Sequence, residues 1–296
     1  MQTLPRELLL HILSRLSVKE RFRLRRVCRL WLELAEDSLA NLRRLELDAE
    51  LGCDLLCSDV EEEKAVEVLG AVLSLCSRHL RQLSLAPSLR RCANEEESKM
   101  VELTLSERLA GIIGQYCHQL ASLFLGGLEL SCPAIAVLFA QPRPSLTSLR
   151  LERVSVWEEW LSLSAALPCI VQQCPHLEHL TLRDCELEAD SDGSPFALLS
   201  ATLRRLNIDR CPGFSYDDLS AVCRRAPGLS WLELNGLSGP RTKTSINCLA
   251  SLTQLRHLEL QNYYGLTDLA QLLSTAAFAP RLEHLDLSHS NQVRKE

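Results

Sequence analysis

Residues 203–211 read LRRLNIDRC, and this stretch decides the fold. Leu206 and Ile208 alternate with Arg205, Asn207 and Asp209, the period of a strand with one buried face. Leu203 precedes the alternation by one turn of chain, and Cys211 closes it. The frame L-x-x-L-x-L (with Ile as its last member here) also starts at 42, 80, 120, 146, 177, 229, 255 and 282. The last four spacings are 26, 26, 26 and 27 residues. A strand that buries one side, recurring at a fixed period, cannot cover its leucines alone. Neighbouring units must stack, so the strands line up in a parallel, curved sheet.

The return segments read as helices. Leu219, Val222 and Cys223 share one face, and so do Leu269, Leu272 and Leu273. Ser215 with Asp218 forms a capping-box-like start, and Thr267 is a candidate N-cap. Pro144, Pro175, Pro227 and Pro280 each stand two residues before a new frame, where proline stops a helix and hands the chain to a strand. Cys185 and Cys211 hold the ninth position of their frames, with Leu128, Val154 and Leu237 there in others. With CPHL at 174–177, this pattern resembles the cysteine-containing class of leucine-rich repeats, whose familiar members are intracellular. The fold class expected is α/β: a short all-helical module, then a curved leucine-rich-repeat solenoid with parallel strands on the concave face and helices on the convex face.

The composition fits such a solenoid. The chain is 46% hydrophobic with only 5% aromatic residues, so its core is aliphatic and repetitive. Thirteen cysteines, an odd number at no framework spacing, read as small hydrophobes in a reducing compartment. Cys53-x3-Cys57 has a metal-like spacing but no second pair, so no metal site is expected there or elsewhere. Arg6, Glu7, His11 and Arg15 interrupt the N-terminal apolar run, which is therefore not read as a signal peptide. No stretch is apolar enough to span a bilayer. The expected location is cytoplasm or nucleus. Net charge is −6, which gives no general case for nucleic acid. Residues 1–40 nevertheless hold eight Lys/Arg against five acids. The run from Lys19 to Arg29 reads as a solvated helix face that steers toward an acidic partner. EEEK at 61–64 and EEES at 95–98 read as solvated, the latter within an exposed loop RRCANEEESK. The sequence ends at SHSNQVRKE, soon after the ninth frame, which leaves the last strand edge open unless another surface covers it.

The opening stretch, LPRELLLHILSRL at 4–16, has too many apolar faces for a helix that covers only its own domain. Leu8, Ile12 and Leu16 form one stripe, Leu9 and Leu13 a second, and Leu10 points a third way. Ser17 and Glu20 then form a capping box that starts a second helix carrying Phe22, Leu24, Val27, Cys28, Trp31 and Leu34. Two helices of this size bury too little surface to stand alone. Leu4-Pro5-x-Glu7-Leu8, Ile12-Leu13-x-x-Leu16 and Val27-Cys28-x-x-Trp31 resemble the F-box motif in order and spacing. One departure is the missing second tryptophan, where Asp37-Ser38-Leu39 stands.

The resemblance implies that residues 1–40 are an F-box and residues 41–296 the leucine-rich repeats. It implies docking on a Skp-type adaptor, and through it on cullin and RING subunits, with the repeats holding an unidentified protein substrate for ubiquitination. The docking role falls on Leu4, Pro5, Leu8, Ile12, Leu13, Leu16, Val27, Cys28 and Trp31, part of which fold the module itself. The chain is expected to be monomeric within such a complex, with no cofactor, nucleic-acid or membrane partner.

The outward residues of each strand are the candidate substrate contacts: Phe124, Arg150, Arg183, Arg205, Asn207, Trp231, Glu233, His257 and Glu259. Phe124 and Trp231 are expected to be exposed anchors. A basic group, Arg150, Arg183 and Arg205, is followed by an acidic column, Glu233, Glu259 and Asp286, which suits a partner of complementary charge. No GxSxG, Walker loop or HExxH occurs. His179, His257 and His284 share one register, which reads as a repeat position and not a site. The chain is expected to be non-catalytic and to act by proximity. A second reading makes it a non-ligase scaffold or inhibitor whose N-terminal helices cap the solenoid.

Overall fold

The computed structural model describes residues 4–47, 62–85, 103–156, 163–187, 194–235, 246–261, 273–274 and 276–290. The Cys53–Cys57 pair, RRCANEEESK, Leu237, Thr267, Leu269 and Leu272 lie outside them. The described strands are β1 (Arg44–Leu47), β2 (Gln82–Leu85), β3 (Leu103–Leu105), β4 (Ser122–Gly126), β5 (Leu128–Leu130) and β6 (Ser148–Glu152). They continue as β7 (Ser155–Val156), β8 (His179–Arg183), β9 (Arg205–Asp209), β10 (Trp231–Asn235), β11 (His257–Gln261) and β12 (His284–Asp286).

Every one of the nine sequence frames becomes a strand of one parallel sheet, in the order β1-β2-β4-β6-β8-β9-β10-β11-β12. The register aligns like with like. Leu45, Leu83, Leu123, Leu149, Leu180, Leu206, Leu232, Leu258 and Leu285 form one row across it. Apart from Leu285, at the edge, all are buried. Each buried leucine adds about 1.5–3 kcal/mol relative to exposure, so the rows dominate the stability of the stack.

The eighth position of the frame turns left-handed: φ is 61° at Gly127, 49° at Arg153 and 50° at Asp184 and at Arg210, each directly after its strand, and 61° at His289, a little beyond β12. Only glycine takes this conformation without strain. The N–H groups of Gly127, Arg153, Asp184 and Arg210 each donate to a carbonyl of the next repeat, at 2.8 to 3.1 Å. The strain is thus offset by one further bond per repeat junction. After Gly127 and Arg153 the chain enters β5 and β7, which with β3 form a second parallel sheet that the sequence reading does not foresee.

The return segments are less uniform than expected. Helices occur at α1 (Arg6–Leu13), α2 (Val18–Leu24), α3 (Arg29–Ala40), α4 (Glu62–Cys76) and α5 (Glu107–Tyr116). They continue at α6 (Cys132–Leu138), α7 (Leu163–Gln173) and α8 (Tyr216–Arg225). Residues 195–198, 246–251 and 279–281 are instead short 3-10 turns. In the first of these, buried Phe196 meets Phe214 edge-to-face at 5.2 Å, so one ring fills space that aliphatic side chains fill elsewhere. Ser215 and Asp218 do form a capping box at the start of α8. Glu62 and Glu63 open α4, where acids complement the helix dipole. Arg143 is buried and donates to the carbonyls of Leu138 and Cys117, at the C-terminal ends of α6 and α5. The buried cysteines behave as small hydrophobes: burial pushes the Cys76 thiol up to about 11 and the Cys117 and Cys174 thiols up to about 12.

The N-terminal module has three helices, not two. The chain breaks at Cys28, which is fully extended (φ −163°), so Trp31 lies on α3. Leu13, Leu34, Ala35 and Leu39 make a small core of their own. Val18 and Phe22 pack against the repeat core.

Candidate functional site

Two surfaces follow from this architecture. The first is on the helical module. Ser17 Oγ accepts from the Glu20 N–H at 3.2 Å, and the Glu20 carboxylate accepts from the Ser17 N–H at 2.8 Å, which fixes the α1–α2 turn. Those bonds hold the Glu20 carboxyl below its ordinary range. Arg21 corrects the reading of the basic run as wholly solvated. It is buried, and it donates to the carbonyls of Leu16 and Ser14 and to Ser38 Oγ, at 3.0, 2.9 and 3.1 Å. Arg25 pairs with Glu36 at 2.7 Å, and Arg6 with Asp37, which ties α2 and α1 to α3.

With its helices fixed by these bonds, the module leaves an apolar face open. Leu4, Leu8, Ile12, Val27 and Leu30 are between 46% and 62% exposed. Pro5 and Cys28 are exposed beside them, and Leu16 and Trp31 are half-buried. Leu13 is fully buried and belongs to the small core, so it is one of the residues that fold the module itself. Leu30 was missed, although its place among Val27, Cys28 and Trp31 is a usable signal. Several large aliphatics exposed on one small helical module are the signal of an interaction surface.

The second surface is the concave face of the sheet. Here the expectation of two exposed aromatic anchors fails. Phe124 is half-buried beneath the Arg150 guanidinium, 4.6 Å from its ring centre. Trp231 is half-buried between Arg205, at 4.9 Å, and the His257 ring, at 3.5 Å. The basic group is also paired in place: Arg150 with Glu152 at 2.6 Å, and Arg183 with Asp209 at 2.9 Å. Trp231 Nε1 and the Asn207 amide both donate to Glu233. Burial and the neighbouring Arg205 lower the His179 pKa.

The shared histidine register turns out to be more than a repeat position. His257 stacks on His284 at 4.2 Å with planes 8° apart. Arg205, Trp231, His257 and His284 therefore form a continuous column across β9 to β12. Glu259 Oε1 lies 2.8 Å from His257 Nε2 and 3.3 Å from His284 Nε2. His179 stands apart, with Arg205 and Trp231 between it and the pair. A polar cavity of about 180 Å³ opens beside the column, lined by Asn207, Glu233, Glu259 and Gln261 among others.

Residues 1–46 match the F-box-like family. The match covers the helical module and reaches into β1. The open apolar face is therefore a face of an F-box-like module. Among solved structures, internalin InlF of Listeria monocytogenes aligns over 98% of this chain and 90% of its own, at 15% identity and TM-score 0.29. TLR13 in its complex with ssRNA13 aligns over 86% of this chain and 34% of its own, at 16% identity and TM-score 0.43. A Bacteroides fragilis protein aligns over 55% of this chain and half of its own, at 14% identity and TM-score 0.38. The leucine-rich-repeat architecture rests on the nine aligned strands themselves. An F-box-like module joined to such a solenoid is a protein-interaction adaptor.

Proposed function

We propose that the chain is the substrate-recognition subunit of an SCF-type cullin–RING ubiquitin ligase. The observation that carries this reading is the exposed face of Leu4, Leu8, Ile12, Val27 and Leu30 on a module that matches the F-box-like family. A Skp-type adaptor would bury that face and link the chain to cullin and RING subunits. The concave column and cavity would hold a protein substrate, and the chain would add no chemistry of its own. Its contribution would be to raise the effective concentration of substrate lysines near the conjugating enzyme. The compartment under this reading is cytoplasm or nucleus.

Co-expression with a Skp-type adaptor tests the reading. A one-to-one complex on size exclusion that is lost on deleting residues 1–40 supports it. A chain that elutes alone in the presence of excess adaptor refutes it.

The packing of Val18 and Phe22 on the repeat core favours a second reading, in which the module caps the solenoid of a non-ligase scaffold. That reading predicts that the 41–296 fragment loses its cooperative melt. An unchanged melt would remove it.

A further inference from the structure

We propose that His257, Glu259 and His284 form a binding site for a divalent transition-metal ion, zinc foremost, on the concave face of the last repeats. The site goes beyond the ligase reading and does not depend on it. His257 Nε2, His284 Nε2 and a Glu259 oxygen all lie within 4.8 Å of one another. Zinc bonds imidazole nitrogen at about 2.0–2.1 Å and carboxylate oxygen at about 2.0–2.2 Å, so neighbouring ligand atoms of a tetrahedral site stand roughly 3.3 Å apart. Glu259 Oε1 is 2.8 Å from one histidine nitrogen and 3.3 Å from the other, close to that spacing.

Three further features suit a metal. The parallel strands hold the donors in register: His257 faces His284, and Glu259 faces Asp286. Trp231 stacks on the other side of His257 with planes 9° apart and fixes that buried ring, while His284, half-exposed and parallel to it, would turn out of the stack to aim its Nε2 lone pair at the same ion. The charge balance is also right for a cation. The outward positions of β10, β11 and β12 contain Glu233, Glu259 and Asp286 and no lysine or arginine. Glu233 Oε1 stands 3.7 Å from His257 Nε2, near enough to strengthen the field at the site.

The donor set selects the metal class. Two imidazoles and one carboxylate suit zinc, nickel, copper or iron; calcium and magnesium prefer all-oxygen sites. Three protein ligands leave one position for water or for a side chain of a bound partner. Glu259 also lines the polar cavity, so a partner seated there would reach that position.

The test is titration of the chelator-treated, dialysed full chain with Co²⁺ and Zn²⁺, without adaptor. Cobalt reports ligand type by its absorption, which matters because the chain has thirteen cysteines. The proposal predicts one ion per chain, with a nitrogen–oxygen cobalt spectrum that lacks a thiolate-to-cobalt charge-transfer band. It predicts that His284→Ala and Glu259→Gln each weaken Zn²⁺ binding, measured by calorimetry, by on the order of 100-fold or more. The lower limit is set by outer-sphere changes at metal sites, which already cost about 10–100-fold. His284 is half-exposed, so its replacement leaves the fold intact, and an unchanged thermal melt checks this. Absence of binding overturns the proposal. So does a thiolate-type spectrum, or any binding that persists unchanged in His284→Ala.

Discussion

The indole of Trp231 lies flat on the imidazole of His257, ring centres 3.5 Å apart and planes within 9°. Arg205 covers the other face of the indole, and His284 stacks beyond His257. Stacked aromatic pairs contribute about 0.5–1.5 kcal/mol and a cation over a ring about 0.5–1 kcal/mol. Trp231→Ala is therefore expected to lower stability by about 2 kcal/mol once lost burial is included. Urea unfolding of the two proteins measures this. A variant within 0.5 kcal/mol (about the spread of neutral surface changes) would mean that the column is loose.

Arg21 and Arg23 are neighbours in one basic run, but only Arg21 is buried. Arg21→Ala leaves the Leu16 and Ser14 carbonyls and the Ser38 hydroxyl without their donor. These acceptors are only part-buried, so water can meet some of them, and destabilisation of about 1–3 kcal/mol is expected, with early proteolysis within residues 4–40. Arg23→Ala is expected to change stability by less than about 0.5 kcal/mol. Equal effects would contradict the assigned role of Arg21.

His179 supplies a pH dependence. Burial, and then Arg205, depress its pKa in the folded chain. The unfolded chain therefore takes up the proton first as pH falls. The contribution of His179 to stability is present above the unfolded value of about 6.5 and is lost below it. The melting temperature is expected to drop between pH 7 and pH 5, and His179→Gln should flatten that slope. The Glu20 carboxyl is also depressed, but its effect appears lower, as pH falls through the carboxylate range. An identical slope in His179→Gln would contradict the assignment.

The thiols should separate by reactivity. The hydrogen bond from the Cys223 thiol lowers the Cys248 pKa, and Cys248 is only partly buried. Cys76, Cys117 and Cys174 are buried with raised values. Thiolates are the reactive form. Brief alkylation near pH 7.5 followed by peptide mapping should label Cys248 well before those three. Labelling of Cys117 at a comparable rate would contradict this.

Much of the repeat was legible because period and burial are the same fact. The second leucine of each frame, from Leu45 to Leu285, falls in register in the sheet. The left-handed position was not legible, since Gly127, Arg153, Asp184, Arg210 and His289 share no chemistry, only a place in the repeat. The second sheet, whose β5 and β7 follow Gly127 and Arg153, was hidden for the same reason. On the module, spacing identified the apolar residues but not their partition. Leu8 and Leu13 are five residues apart in one helix, yet one is half-exposed and the other fully buried. Side-chain pairing across strands was equally invisible. Phe124 and Trp231 looked exposed in sequence because the cations that cover them, Arg150 and Arg205, come from neighbouring repeats.

The most direct test of the central claim is the affinity of the full chain for a purified Skp-type adaptor, with and without Leu8→Asp and Ile12→Asp together. Both residues are exposed, so the double variant should melt like the parent, whereas Leu13→Ala should lose about 2–5 kcal/mol as a core truncation. Tight binding by the parent is expected, with a loss of at least about 100-fold in the folded double variant, roughly 2.7 kcal/mol. Undiminished binding by that variant, or no binding by the parent, would contradict it.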